Sequence, residues 1–588
     1  MLETPSEASF DRKGGLSSIL NAAQMTARSA GERILAPSPQ RRVAVLSSAA
    51  YQAALSLLAL FLLAVAVWFV VQLAGYRPDG PDDARTLVFT NNILREPGAW
   101  ILEQQLPLLQ FATYASLITL FGWGVPLVLV PLLFSAALAL LVGYIAQRVS
   151  GGGLWAFLAA ALMLACLPVF LVQSRSLPFY PPTLFFGYGG AFAAIVYARG
   201  GGRMAFVGAA LGLPAALYSF GIGIVFLALP PLYLLIDRRR PTLIRLAQVY
   251  AIVLALAAPW LVWHLAIDGF DGLFRQQTTW FIDRGYLNIR NSEFWDTGSA
   301  SRIQFLGRLP GMFADASGAL AIPLVILGIV GLIRLPSWPW RAAVLLALGI
   351  PVAGLVYAVP AAFNRYVYVL LPGLVLLSVY GLHGLLHLLS SYRRTAYLSA
   401  IGATVAFGLL GTLFLQNVQD DLDTADLLQT RPAQSELALV AELIDDGKAV
   451  IGSRPYWLIY YEHENELLTT DFLSEEDFVT YLSWPSDEAV AEMFERNNVG
   501  WVILLHPAER WERDYHVWLM KAAGQLPQHY VKVKDSGLVE EVYTGYSYSL
   551  YRVVRTGEAA SRESAEGGQT LTMCPRLGMA SACARWPT

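Results

Sequence analysis

VPLVLVPLLFSAALALLVGYIAQ, residues 125–147, runs from Val125 to Gln147 without one charged side chain, and Arg148 follows at once. About twenty such residues cross the roughly 30 Å hydrocarbon core of a bilayer as a helix. This stretch therefore predicts a membrane span. Working outward, runs of the same kind fall near 48–74, 153–173, 182–198, 203–218, 221–236, 246–266, 318–333, 341–358, 366–388 and 397–416. Together they predict an α-helical polytopic membrane protein with about eleven transmembrane helices, carrying a small C-terminal α/β soluble domain.

Composition agrees. Of 588 residues, 55% are apolar and only 14% charged, and the mean hydropathy is +0.48, too apolar for a soluble chain. The net charge of −3 leaves no basic surface on the scale that nucleic acid needs. Membrane lipid is an expected partner, and nucleic acid is not. Cys166 lies in an apolar run and Cys574 and Cys583 in the extreme tail, a distribution that builds no disulfide framework or zinc motif.

Arginine clusters orient the spans, because Lys and Arg near helix ends favour the cytoplasm. Arg41 with Arg42, Arg148, Arg199 with Arg203, Arg238 to Arg240 with Arg245, Arg334 with Arg341, and Arg393 with Arg394 all fall on one side if the N-terminus is inside. Reading Leu106 to Gly122 as a further span would reverse that pattern, so Pro107 to Phe121 is expected as an amphipathic or re-entrant helix at the outer interface. The expected layout is a disordered cytoplasmic tail (1–43), a transmembrane domain (44–417) with large outer loops at 76–124 and 267–317, an extracytoplasmic α/β domain (418–555) and a disordered tail (556–588). The plasma membrane is the expected location.

Beyond residue 430 the apolar pattern changes. Ser435 is suited to cap a helix with Leu437, Val440, Leu443 and Ile444 on one face, and Ala449 to Gly452 reads as a strand. Asp487 to Arg496 followed by Val499 to Leu505 repeats the helix-then-strand order, and Tyr543 to Val554 predicts a closing strand or hairpin.

Chemistry concentrates just outside the first span, at Asp82-Asp83-Ala84-Arg85-Thr86-Leu87-Val88-Phe89. Adjacent carboxylates at a bilayer rim are costly and point to a function, although solvated loop acids would read the same way. His383 and His387 are four residues apart, but Gly384 stands where a zinc-protease helix needs Glu. No metal and no cofactor is expected. Gly187, Gly189 and Gly190 fit close helix packing better than phosphate binding.

These segments resemble the polytopic GT-C glycosyltransferases that use polyprenyl-phosphate sugars, the protein O-mannosyltransferase and aminoarabinose-transferase group of family 39. Asp82-Asp83-Ala84-Arg85 stands where that family has an Asp-Glu-Ala-Arg-like stretch. Leu106-Pro107-Leu108-Leu109 is similar to its proline-led segment, and Asn364-Arg365-Tyr366-Val367-Tyr368-Val369-Leu370-Leu371-Pro372 to its Arg-Tyr-Leu-Leu-Pro segment. The departures are Arg175-Ser176-Leu177-Pro178 without the family's second acid, and Ser219-Phe220-Gly221 without its Lys-Gly pair.

The resemblance implies an inverting transferase that moves a sugar from a polyprenyl-phosphate donor to a glycan, lipid or protein acceptor on the outer face. Asp82 is the implied general base, with Asp83 beside it. Arg175 or Arg365, and alternatively Arg85, would bind the departing phosphate, with Tyr366 in the same substrate-binding segment as Arg365. Two rival readings remain open: a lipid or solute transporter, and a non-catalytic glycolipid-binding member.

Overall fold

The computed structural model describes residues 81–95, 108–122, 125–151, 154–177, 179–275, 299–358, 367–390, 408–417, 419, 432–444, 448–452, 467–468, 475–505, 526–545 and 548–554. The expected first span, both tails, Arg365, Tyr366, Cys574 and Cys583 lie outside the described residues.

The membrane part is helical. Its helices are α1 (Pro81–Arg95), α2 (Leu108–Phe121), α3 (Val125–Ser150), α4 (Leu154–Ala165), α5 (Pro168–Arg175), α6 (Tyr180–Ala198) and α7 (Arg203–Ser219). There follow the short α8 (Ile224–Leu227) and α9 (Leu229–Leu232), then α10 (Arg240–Arg275), α11 (Ser299–Ser317), α12 (Ala321–Arg334), α13 (Trp338–Ala358) and α14 (Leu371–Ser390). Residues 408–417 are also helical.

Among the described residues, Leu129–Ser150, Arg240–Pro259 and Leu309–Arg334 are long and apolar enough to cross a membrane. The pair Leu154–Ala165 and Pro168–Ser174, bent by 76°, makes a fourth if it counts as one span. The bend has a local cause: Pro168 supplies no amide hydrogen and disfavours helix at Leu167, whose backbone is extended. Helix α2 has 14 residues, about 21 Å at 1.5 Å per residue, short of the hydrocarbon core. It is apolar around most of its girth, burying Phe111, Tyr114 and Ile118 and exposing Leu120 and Phe121.

Two boundaries differ from the sequence reading. Helix α10 continues to Arg275, and the third long apolar stretch begins at Leu309 inside α11, so both ends of the expected 267–317 loop are helical. A helix that leaves the bilayer satisfies its own backbone, so an end placed by hydropathy marks where the apolar sequence stops and not where the helix does.

Glycine sets the helix crossings. A Cβ at Gly190 would lie 2.7 Å from the Leu213 backbone nitrogen, and one at Gly212 would lie 3.0 Å from Gly190 Cα, so α6 and α7 cross backbone to backbone. Gly187 leaves room for the Phe226 ring, and Gly189 faces Leu141 Cδ2 at 3.3 Å. Gly331 and Gly381 bring α12 and α14 together in the same manner, with 2.7 Å between a Gly381 Cβ and the Gly331 nitrogen. His383 stacks on Trp155 at 5.3 Å between ring centroids, a packing role.

The C-terminal elements are α15 (Pro432–Leu443), β1 (Ala449–Gly452), β2 (Leu467–Leu468), α16 (Glu475–Ser483), α17 (Asp487–Arg496), β3 (Val499–Leu505), α18 (Leu526–Asp535), β4 (Val539–Thr544) and β5 (Tyr548–Val553). The strands form one sheet in the order β2-β1-β3-β5-β4, parallel from β2 to β3 and antiparallel from β3 to β4. Helix α15 begins at Pro432, not after Ser435, because proline's fixed φ suits the first helical position. Ser486 caps α17 by accepting from the Ala489 amide at 3.3 Å. The hairpin opens at Val539, four residues before the expected start.

Candidate functional site

Helix α1 begins at Pro81, so Asp82 and Asp83 fall in its first turn. Proline at the first position and acids next to it suit a helix N-terminus, where unpaired backbone N–H groups and the macrodipole favour negative charge. The segment expected as part of a loop is therefore a helix, with Asp82 and Asp83 at its second and third positions. Beyond Arg85, Thr86, Leu87, Val88, Thr90, Asn91, Asn92 and Ile93 are all buried. Thr90 turns its hydroxyl back onto Thr86 O at 2.8 Å.

Helix α2 is fastened to α1 one turn below the acids, where Gln110 Nε2 donates to Thr86 Oγ1 at 3.4 Å. The next turn of α2 reaches a third segment: Tyr114 Oη donates to Leu177 O at 2.6 Å, and its ring meets Phe179 edge-on at 5.3 Å. Leu177 is two residues past Arg175, the last residue of α5. Two contacts thus tie the helix that begins with Asp82 and Asp83 to the chain leaving Arg175.

A third contact joins the late motif. Phe170 on α5 meets Tyr368 edge-on at 6.3 Å. Val367, Tyr368, Val369 and Leu371 have no exposed surface. Tyr188 on α6 pins the segment from the other side, donating to Val369 O at 2.9 Å and accepting from the Gly373 amide at 3.1 Å. The described part of the Arg365-Tyr366 motif is therefore held against the helix that ends at Arg175.

The linking residues Gln110, Tyr114, Tyr188 and Phe170 escape sequence reading. Each is an ordinary member of an apolar helix, and its partner is 24 to 198 positions away along the chain, the separations being 24 for Gln110, 63 for Tyr114, 181 for Tyr188 and 368 − 170 = 198 for Phe170. The one available hint is polarity: Gln110 and the tyrosines are hydrogen-bonding groups in helices that could otherwise be wholly apolar. At Ser219-Phe220-Gly221, where the resemblance implies Lys-Gly, Ser219 is buried and donates to Ala215 O at 2.7 Å, while the Phe220 ring packs on Tyr180 at 5.0 Å.

No family model matches the chain, and no curated protein matches it. Solved structures do. ArnT from Cupriavidus metallidurans bound to undecaprenyl phosphate is 15% identical with a TM-score of 0.51, over 84% of this chain and 98% of its own. The chain has the GT-C fold. The archaeal oligosaccharyltransferase AglB from Archaeoglobus fulgidus, in complex with an inhibitory peptide and a dolichol-phosphate, is 14% identical with a TM-score of 0.52, over 84% of this chain and 74% of its own. With identity this low the likeness concerns the fold.

The C-terminal sheet adjoins this end of the molecule. Leu87, Val88, Ile93, Phe111, Tyr114, Leu177 and Phe179 belong to the same buried hydrophobic cluster as Val450, Trp501, Val502, Tyr548 and Leu550.

Proposed function

We propose that this chain is an inverting glycosyltransferase that moves a sugar from a polyprenyl-phosphate donor to a glycan, lipid or protein acceptor on the outer face of the plasma membrane. One observation carries the reading. The helix that begins with Asp82-Asp83-Ala84-Arg85, the chain leaving Arg175 and the segment following Arg365 are separate in sequence, yet Gln110, Tyr114 and Phe170 join them. The GT-C fold adds support, since it is shared with a protein solved with undecaprenyl phosphate and an oligosaccharyltransferase solved with dolichol-phosphate.

In this reading Asp82 takes the proton from the acceptor hydroxyl as that oxygen attacks the anomeric carbon. Asp83 orients Asp82 or the acceptor. The bond to the lipid phosphate breaks on the opposite face, which inverts the anomeric carbon. Arg175 or Arg365, or alternatively Arg85, takes up the phosphate's charge through paired hydrogen bonds, with Tyr366 beside Arg365. The N-terminus is cytoplasmic and residues 418–555 form an extracytoplasmic domain that selects the acceptor; its share in the cluster containing Leu87 and Tyr114 supports that role.

The test is Asp82→Asn in purified protein in lipid, supplied with polyprenyl-phosphate sugars and an envelope extract as acceptor. A general base contributes about 100-fold to 10,000-fold, and transfer is expected to fall by that much with expression unchanged. A transporter or glycolipid-binding protein has no proton transfer for Asp82 to serve. Near-normal turnover in the variant would remove the assignment.

A further inference from the structure

Asn92 is 1% exposed on α1, and neither its Oδ1 nor its Nδ2 has a hydrogen-bond partner among the described residues. Its polar neighbours on the same helix are accommodated: Thr90 donates to Thr86 O, and Thr86 Oγ1 accepts from Gln110. Buried amides are nearly always paired, and one left unpaired carries the full cost of its desolvation. An asparagine kept for structure would be using its amide; this one is not. Gln173, two residues before Arg175, is in the same condition, its Oε1 buried without a partner.

Position and chemistry narrow the ligand. Asn92 follows Arg85 by seven residues, about two helical turns, so the two positions share one side of α1. An amide offers a donor and an acceptor side by side. Phosphate oxygens are acceptors only and would leave Oδ1 unsatisfied, whereas hydroxyl groups both donate and accept. Neighbouring hydroxyls on a sugar ring satisfy both amide atoms at once. We infer that Asn92 is a specificity-determining residue that hydrogen-bonds hydroxyls of the transferred sugar, a role that rests on the glycosyl-transfer reading above.

The experiment has two arms, both on the full-length chain in lipid. In the first, release of free polyprenyl phosphate is measured with polyprenyl-phosphate mannose, glucose, galactose and arabinose, which differ in their hydroxyls, in the presence of envelope extract. Asn92→Ala is expected to lose about tenfold in kcat/KM on the preferred donor and to flatten the preference among the four. An equal loss on all four, with their ranking kept, would overturn the role.

In the second arm, the melting temperature of the donor-free protein is compared between wild type and Asn92→Leu. Leucine shares asparagine's branching at Cγ and has no amide to leave unpaired, but it is bulkier, so the smaller Asn92→Val is measured beside it; in at least one of the two the melting temperature is expected to hold or rise while donor preference is lost. A clear fall in both variants would mean that the amide serves the fold, and would also overturn the role. The two readings separate cleanly. Turnover by the wild type with an unchanged ranking in Asn92→Ala removes the Asn92 role alone. No turnover by the wild type on any donor removes the glycosyl-transfer reading, and the Asn92 role with it.

Discussion

Asp82 and Asp83 are neighbours on one helical turn, but the turn places them about 100° apart around the axis. Both cannot serve as base for one hydroxyl. Asp83→Asn is therefore expected to reduce transfer by less than Asp82→Asn, with the two rates compared at saturating donor. Tyr114 makes a different kind of contribution, holding the Leu177 carbonyl beyond Arg175. Tyr114→Phe keeps the ring against Phe179 and removes only the hydroxyl. It should cost about 0.5–1.5 kcal/mol in stability, and donor KM should rise more than acceptor KM, because the loosened chain carries a proposed phosphate ligand. An effect confined to acceptor KM would contradict that placement.

Helices in this fold meet where side chains are missing. The α6–α7 crossing has Gly190 against the backbone of Gly212 and Leu213, and no side chain can yield there because the neighbour is main chain. Gly190→Ala should destabilise by about 1–3 kcal/mol, as overpacking does. Gly349 on α13 is the control, since a Cβ there meets nothing within 4 Å. Gly349→Ala should be neutral or stabilising by up to about 1 kcal/mol, and melting temperatures in the same lipid would compare the two. In the C-terminal part, α16 and α17 are joined through Asp477, which is buried and accepts from Arg496 at 2.7 Å and Asn497 at 3.1 Å. Nearby, burial pushes the Tyr481 hydroxyl above its ordinary pKa, so that phenol stays neutral at physiological pH.

At the scale of the whole molecule, the cluster shared by α1, α2 and the sheet has a mechanical consequence. Elements that bury one another's apolar surface open together. Along a thermal ramp, proteolytic cleavage within β3 should set in together with cleavage within α1; a sheet that is cleaved first, with α1 still protected, would show two independent units. Topology is tested separately. The alternating arginine clusters predict that a reporter fused after residue 430 is active only when exported, and cytoplasmic activity there would overturn the outer-face placement of the site as well.

The helical membrane class, the strands Ala449–Gly452 and Val499–Leu505, and the packing use of Gly187, Gly189 and Gly190 are legible in the amino-acid order alone. Each of these depends on a local property: the apolar length a bilayer demands, a short continuous apolar run that suits a strand buried on both faces, or the absence of a Cβ. Helix ends were less legible, as α10 and α15 show, because hydropathy records where apolar surface is needed and not where hydrogen bonding stops. Only the folded chain shows that the segment leaving Arg175 is tied through α2 to the helix that begins with Asp82, and that Asn92 is enclosed with no hydrogen-bond partner among the described residues. The reason is distance along the chain: Tyr114 and Leu177 are 63 residues apart, and only the folded packing of α2 against the chain beyond Arg175 brings donor and acceptor within bonding reach.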